Sequence, residues 1–146
     1  MNYTVYIDGS CREFINYTTS GYGFAVEDSS GKVIYKECGN CLHKQKSPAR
    51  AELEALYRCL LWIKKNKKDN DFFTIKSDCE VVVNSLLGIS RRNKNRDLWE
   101  KIEPLCLDFY YTINIEHVKG HANNNMNILV DSLAKKGAST LIRITC

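Results

Sequence analysis

The first ten residues, M-N-Y-T-V-Y-I-D-G-S at positions 1–10, decide how the rest of the chain is interpreted. Apolar and polar side chains alternate over residues 3–8, and several are aromatic or β-branched, which predicts a β-strand. Gly9 and Ser10 are expected to end this strand. Asp8 therefore follows an apolar run, where a buried charge is costly unless a cation or a hydrogen-bond donor compensates it. An Asp-Gly turn is the alternative interpretation of Asp8.

The composition is that of an ordinary globular protein. The 146 residues suit one domain with one core, and a 44% hydrophobic, 26% charged chain is not of the disordered class. No apolar run approaches the roughly 20 residues that cross a bilayer, and no signal peptide opens the chain, so we expect no membrane partner and a cytoplasmic location. The net charge of +4 is compatible with a polyanionic partner.

The cysteines are expected to be reduced thiols. There are seven, an odd number, and several lie within apolar segments. Cys38 and Cys41, followed by His43, have the spacing of a metal site, but no second pair completes a tetrahedral zinc site. A hairpin end with two thiols is the favoured interpretation.

Periodicity and turn residues divide the chain into nine elements in the order βββαβααβα. We predict strands at 1–8, 21–27, 32–38, 72–77 and 111–118, and helices at 48–65, 79–87, 97–107 and 126–137. This order predicts an α/β fold, in which three antiparallel strands and then two more form a five-stranded mixed sheet with helices packed on it. No repeat or linker divides the chain, so residues 1–146 are expected to form one catalytic domain without a separate substrate-binding domain.

Three further acids lie beside apolar runs, as Asp8 does. Glu52 is in a helix that Ser47 and Pro48 are suited to start, and its spacing places it on the apolar face, whereas Glu54 is expected to face solvent. Asp78 follows a strand and Asp131 lies in the last helix.

If the four carboxylates converge, they repel one another, and divalent cations such as Mg²⁺ or Mn²⁺ relieve that repulsion. Two such ions about 3.5–4 Å apart suit phosphodiester hydrolysis. Spacing alone leaves open the alternative that the four acids never meet.

Several ordered motifs resemble ribonuclease H, type 1. They are Y-I-D-G-S at 6–10, G-Y-G at 21–23, A-E-L-E-A-L at 51–56, S-D-C-E-V-V-V-N at 77–84, D-L-W-E-K-I at 97–102 and V-K-G-H-A-N-N-N-M-N-I-L-V-D-S-L-A at 118–134. The resemblance covers nearly the whole chain. It implies the ribonuclease H-like fold and endonucleolytic hydrolysis of the RNA strand of RNA–DNA hybrids, leaving 5′-phosphate and 3′-hydroxyl ends.

The resemblance also implies the site. Two Mg²⁺ ions, with Mn²⁺ as a substitute and no organic cofactor, would be held by Asp8, Glu52, Asp78 and Asp131. His121 matches a family histidine that assists proton transfer or product release, whereas His117 is expected to be structural and His43 a solvated loop residue. The nucleic-acid contacts implied or expected are Gly9, Ser10, Cys11, Glu80, Asn127, Arg91 and Arg92.

Some features depart from the family pattern. The loop after Ser10 is longer and lacks the glycine-rich, Asn-Pro-containing turn, and residues 47–49 replace asparagines that touch the hybrid in many members. A basic insertion of some bacterial members is reduced to residues 90–96, where a solvated loop is the alternative to substrate contact.

Two alternatives to a hybrid-cutting enzyme remain open at this point: a catalytically retired nucleic-acid-binding module and a related nuclease acting on double-stranded RNA. A domain cut from a reverse transcriptase shares the same motifs, but we expect a stand-alone monomeric enzyme.

Overall fold

The computed structural model describes residues 1–89, 91–119, 124–139 and 144–145. The strands are β1 (Asn2–Glu13), β2 (Thr18–Glu27), β3 (Val33–Asn40), β4 (Phe72–Ser77), β5 (Ile113–His117) and β6 (Ile144–Thr145), and the helices are α1 (Pro48–Asn66), α2 (Glu80–Leu86), α3 (Arg96–Asp108) and α4 (Asn125–Ala138). The predicted order βββαβααβα is confirmed, and the two-residue β6, which was not predicted, follows it.

The strands form one mixed sheet in the order β5-β4-β1-β2-β3-β6. β2 is antiparallel to β1 and β3, whereas β4 is parallel to β1 and β5. The five-stranded mixed sheet is therefore confirmed, with β6 added beside β3. Ile7 of β1 pairs with Ser77, the last residue of β4. The next residues, Asp8 and Asp78, therefore lie side by side where β4 ends.

β1 is longer than predicted. Gly9 and Ser10 do not end it, because β2 pairs with it continuously from Thr4 to Glu13. The glycine serves close packing instead of a turn: a Cβ at Gly9 would lie 2.3 Å from the backbone nitrogen of Glu52. β4, in contrast, ends opposite Ile7, so no strand within the described ranges pairs with the second half of β1 on that side.

The two faces of the sheet carry separate apolar clusters. One cluster joins α1 to the sheet through side chains such as Val5, Leu56 and Ile63. The other cluster lies under α4 and includes Tyr6 and Leu133. Alternation along β1 explains the division, since Val5 and Tyr6 point to opposite faces.

α1 begins as predicted, with Ser47 as the N-cap that accepts a hydrogen bond from the backbone N–H of Arg50. The prediction that Glu54 faces solvent is wrong. Every residue from 50 to 56 is buried, because this half of α1 is enclosed on all sides, and Glu54 pairs with Arg58 at 3.3 Å.

The cysteine prediction is confirmed for Cys11, Cys41, Cys59, Cys79 and Cys106, which are thiols. Burial raises the pKa of Cys41 to about 11, which disfavours the thiolate that zinc binding needs. Among the described residues, no helix combines the length and the apolar character required to cross a membrane.

Candidate active site

Three of the predicted acids converge where β4 ends beside the middle of β1. Asp8 is in β1, Glu52 is in the first turns of α1, and Asp78 directly follows β4. One carboxylate oxygen of each lies within 4.8 Å of the others. Asp8 and Glu52 are buried, with 8% and 3% exposure, and Asp78 is half-buried. We call these three residues the carboxylate cluster.

Glu52 is held in place by two hydrogen bonds from the sheet. The Gly9 backbone N–H donates to Oε2 at 2.8 Å, and the Ser77 hydroxyl donates to Oε1 at 2.6 Å. The same Gly9 N–H also lies 2.9 Å from Oδ1 of Asp8. Both carboxylates are thus fixed by the backbone of one strand.

Ser77 is a functional candidate that the sequence analysis missed. It is fully buried, and its hydroxyl also accepts a hydrogen bond from the Cys79 backbone N–H at 3.1 Å. The available signal was a serine at the end of an apolar strand, next to Asp78. A buried hydroxyl there requires a partner, and in the folded chain that partner is the Glu52 carboxylate.

The cluster concentrates negative charge in a poorly solvated place. Burial, with the charge of Asp78 second, raises the pKa of Asp8 to about 6. Burial and then the charge of Asp8 raise the pKa of Glu52 well above its usual range. Uptake of a proton or of a cation by the cluster relieves this repulsion. Three clustered carboxylate oxygens are a donor set suited to a hard divalent cation.

Asp131 lies near the carboxylate cluster but is not one of the three acids whose oxygens lie within 4.8 Å of one another. It is in α4, it is 30% exposed, and its carboxylate forms an ion pair with Lys135 at 2.9 Å. Its charge contributes to the raised pKa of Asp8, after burial and Asp78. Asn127, one turn earlier on the same helix, is half-buried and its side-chain amide donates to the Lys119 carbonyl at 3.4 Å.

The three histidines have different positions. His121 lies outside the described residues. His117 is an exposed residue at the end of β5, where its Nε2 lies 3.2 Å from the backbone carbonyl oxygen of Asp78. His43 is not simply solvated, because its Nε2 lies 3.7 Å from Asp97.

The predicted nucleic-acid contacts surround the cluster unevenly. Gly9, Ser10 and half-buried Cys11 belong to the part of β1 that pairs with β2 but, among the described residues, with no strand on the β4 side. Glu80 is exposed in the first turn of α2.

Arg91 and Arg92, between α2 and α3, differ in exposure and in their contacts. Arg91 is exposed. Arg92 is committed to intramolecular contacts: its guanidinium lies 4.5 Å from the Trp99 ring centroid and bonds to Glu103 and to the carbonyls of Ser85 and Leu86. Of the two, Arg91 has the side chain that a substrate can reach.

A second cluster of charges, also missed by the sequence analysis, lies at the start of α1. The Arg50 guanidinium is only 4% exposed and forms a bidentate pair with Asp97 of α3, at 2.8 and 2.7 Å. Asn95 accepts a third bond from it at 3.3 Å. This pair joins the N-termini of α1 and α3. An arginine within a helical stretch gave no signal of burial.

Comparison with known proteins gives one family. Its model, RNase H, matches residues 1–139. A ribonuclease H of Saccharomyces cerevisiae is 34% identical over 162 aligned positions, a match that covers 92% of this chain and 45% of the yeast protein. The chain therefore spans less than half the length of that relative.

One further relative and one solved structure match over most of their own length. A ribonuclease H of Francisella philomiragia is 28% identical over 150 positions, covering 96% of this chain and 93% of that protein. The crystal structure of LC11-RNase H1, in complex with an RNA/DNA hybrid, superposes with a TM-score of 0.77 at 19% identity, over 94% of this chain and 96% of that one. That likeness shows the fold to be that of RNase H. Because the family model spans residues 1–139, the chain belongs to the RNase H family.

Proposed function

We propose that this chain is a metal-dependent endonuclease that hydrolyses the RNA strand of RNA–DNA hybrids and leaves 5′-phosphate and 3′-hydroxyl ends. The observation that carries the proposal is the carboxylate cluster in an RNase H chain: three acids from three elements within 4.8 Å of one another. A retired binding module has no need to keep three repelling acids together, two of them buried.

The metal ligands in this proposal are Asp8, Glu52, Asp78 and Asp131. When bound, two Mg²⁺ ions, with Mn²⁺ as a substitute, would supply activation of the attacking water and stabilisation of the leaving oxygen. The chain contributes the positions of the ligands. Ser77 and Gly9 fix the position of the Glu52 carboxylate for ligation.

His121 has the role of proton transfer or product release in this proposal. Asn127 lies one helical turn from Asp131 and is suited to contact the substrate beside the cluster.

The open half of β1 is proposed to bind the RNA strand. Among the described residues, no strand pairs with residues 8–13 on the β4 side. Backbone groups of Gly9, Ser10 and Cys11 that are not already bonded to the carboxylates or to β2 can therefore meet the strand that carries the scissile bond. Contacts of this kind select sugar and groove shape over base identity, so we propose cleavage without base specificity. Glu80 and Arg91 flank this surface as further contacts.

The test is cleavage of one labelled RNA strand presented in three ways: paired with DNA, paired with RNA, and single-stranded. Each is run with Mg²⁺, with Mn²⁺ and with EDTA. Metal-dependent cleavage of the hybrid alone is expected. Cleavage of duplex RNA as well would replace the proposal with a broader nuclease, and hybrid binding without cleavage under any condition would replace it with a binding module.

A further inference from the structure

The β1–β2 hairpin projects beyond the rest of the sheet. β4 stops pairing with β1 at Ile7, and β3 pairs with β2 only from Gly21 onward. Beyond these points β1 and β2 pair with each other, from Cys11↔Ser20 to Glu13↔Thr18, and no other strand of the described part of the chain joins them. The hairpin therefore extends from the proposed active site as a two-stranded arm. At about 3.3 Å per residue, its end lies roughly 20 Å along the strand from Asp8.

Large apolar side chains occupy the end of this arm. Phe14, Ile15 and Tyr17 are 45%, 101% and 60% exposed, and we call them the aromatic tip. The rings of Phe14 and Tyr17 stack, with centroids 4.7 Å apart and planes 16° apart. The Phe14 backbone N–H donates to the Tyr17 carbonyl at 2.8 Å, so the turn holds both rings in place. Exposing this much apolar surface is costly unless a partner covers it.

Positive charge accompanies the aromatic tip. The Arg12 guanidinium lies 5.9 Å from the Phe14 ring centroid. By alternation along β1, Arg12 is on the same face as Asp8, and α4 covers that face as far as Ala138, against which Gly21 packs.

A groove of about 330 Å³ lies between the arm and the end of α4. Its lining residues are Arg12, Phe14, Tyr17, Thr19, Asn40, Ala138 and Ser139. Glu13 is the one acidic residue among residues 11–20, and by alternation it lies on the opposite face of β1 from Arg12. Two stacked rings beside a guanidinium, in the turn that follows the strand from the cluster, have the chemistry that binds single-stranded nucleic acid.

We infer that the aromatic tip binds unpaired nucleotides of the substrate, by stacking a base on Tyr17 or Phe14, while the carboxylate cluster cuts the paired region. Bases within a duplex are covered by their neighbours, so an aromatic ring at this position selects an unpaired base. A reach of roughly 20 Å corresponds to about six nucleotides at ~3.4 Å each. The inference rests on the proposed function, because it assigns a second contact to the same substrate.

The experiment compares a blunt RNA–DNA hybrid of about 12 base pairs with the same hybrid carrying about ten unpaired nucleotides at the 5′ or the 3′ end of the RNA. The variants are Phe14→Ala/Tyr17→Ala and Tyr17→Trp. The matched control is Tyr110→Ala/Tyr111→Ala, which removes another exposed aromatic pair that precedes β5, at the opposite end of the sheet. KM and kcat are measured for each substrate, with a thermal melt to show that each variant is folded.

For the wild type, an extension at one end is expected to lower KM by about tenfold, the effect of stacking one base on an aromatic ring. Phe14→Ala/Tyr17→Ala should lose this gain while its kcat, and its KM for the blunt hybrid, stay unchanged. Tyr17→Trp and the control pair should keep it. An extension that gives no gain, or a double variant that keeps the gain or binds the blunt hybrid less well, overturns the inference.

Failure of the proposed function has a different signature, because the wild type would then cut none of the hybrids. The aromatic tip is still testable in that case by fluorescence anisotropy of a labelled single-stranded oligonucleotide. Equal affinity of the wild type and the double variant for this probe would overturn the inference independently.

Discussion

Arg50 and Glu52 are two residues apart in α1, and both side chains are buried, but their charges are treated in opposite ways. Arg50 is paired with the opposite charge of Asp97. The hydrogen bonds that Arg50 donates hold the pKa of Asp97 well below its usual range. Glu52 meets charges of its own sign, and its pKa is raised by burial and by Asp8.

The difference separates a structural charge cluster from a candidate functional one. The Arg50–Asp97 pair satisfies most of its hydrogen-bonding and charge requirements within the chain, although the Arg50 Nε atom has no hydrogen-bond partner among the residues that the structure describes. The carboxylate cluster does not: its excess negative charge requires a proton or a cation from solution. Uncompensated charge in a buried place destabilises a fold, so its presence points to a ligand.

The largest effect is expected from removing one carboxylate of the cluster. Asp78→Asn should lower the cleavage rate by about a thousandfold or more, since a lost ligand removes several kcal/mol of transition-state stabilisation. Hybrid binding should persist because the surface is otherwise unchanged. Gel-based cleavage and anisotropy measure the two effects, and Asp69→Asn, an acid in the loop before β4, is the matched control.

A variant Asp78→Asn that cleaves at nearly the wild-type rate would contradict the assignment of the cluster as the active site. Loss of hybrid binding together with cleavage would show a folding or surface defect instead.

The Arg50–Asp97 pair should respond in stability. Asp97→Asn leaves a buried guanidinium without its counter-charge, and we expect a loss of about 2 kcal/mol in the free energy of unfolding. This is less than the roughly 3–5 kcal/mol for a fully buried pair, because Asp97 is 51% exposed. Urea denaturation measures the loss.

Arg50→Met combined with Asp97→Asn provides the control for this prediction. The double variant should be more stable than Asp97→Asn alone, since it no longer buries an unpaired charge. Equal stabilities of the two would mean that solvent already compensates Arg50.

Ser77→Ala tests whether Glu52 must be held in position. The substitution removes the hydrogen bond to Oε1 and leaves the one from Gly9, so we expect kcat to fall by about tenfold, the effect of roughly 1.4 kcal/mol. KM should change little. Ser77→Thr, which keeps the hydroxyl, is the matched variant and should retain more activity. If both variants are equally impaired, packing at this position matters more than the hydrogen bond.

Much of the fold was predictable because the evidence for it is local. Alternation and turn residues located the strands, and Ser47 with Pro48 located the start of α1. The length of β1 was not predictable, because Gly9 resembles a turn residue and its packing role depends on a helix more than forty residues later. The convergence of Asp8, Glu52 and Asp78 could be proposed from their positions after apolar runs.

The supporting residues were less predictable. Ser77, Arg50 and Asp97 are common residue types whose importance depends on partners distant in sequence, and Glu54 is buried only because other elements enclose α1. Long-range packing of this kind leaves little trace in a single sequence.

The smallest effect, and the sharpest contrast between the two clusters, concerns the pH dependence of stability without metal. The pKa of Asp8 is raised to about 6 in the folded chain, above its ordinary 3.8, so between these values the folded state binds more protons than the unfolded state. Stability must therefore rise as pH falls from 7 to 5, by about 1 kcal/mol for this one group. The Arg50–Asp97 pair acts in the opposite sense: the pKa of Asp97 is lowered, so its contribution to stability is full at neutral pH and decreases only as pH falls below about 4.

Urea denaturation in EDTA at pH 7, 5 and 3.5 measures both pH dependences of stability. In Asp8→Asn the gain between pH 7 and 5 should shrink, whereas in Asp97→Asn the loss below pH 4 should shrink. A wild-type chain that is no more stable at pH 5 than at pH 7 would show that the carboxylate cluster is not strained in the absence of metal.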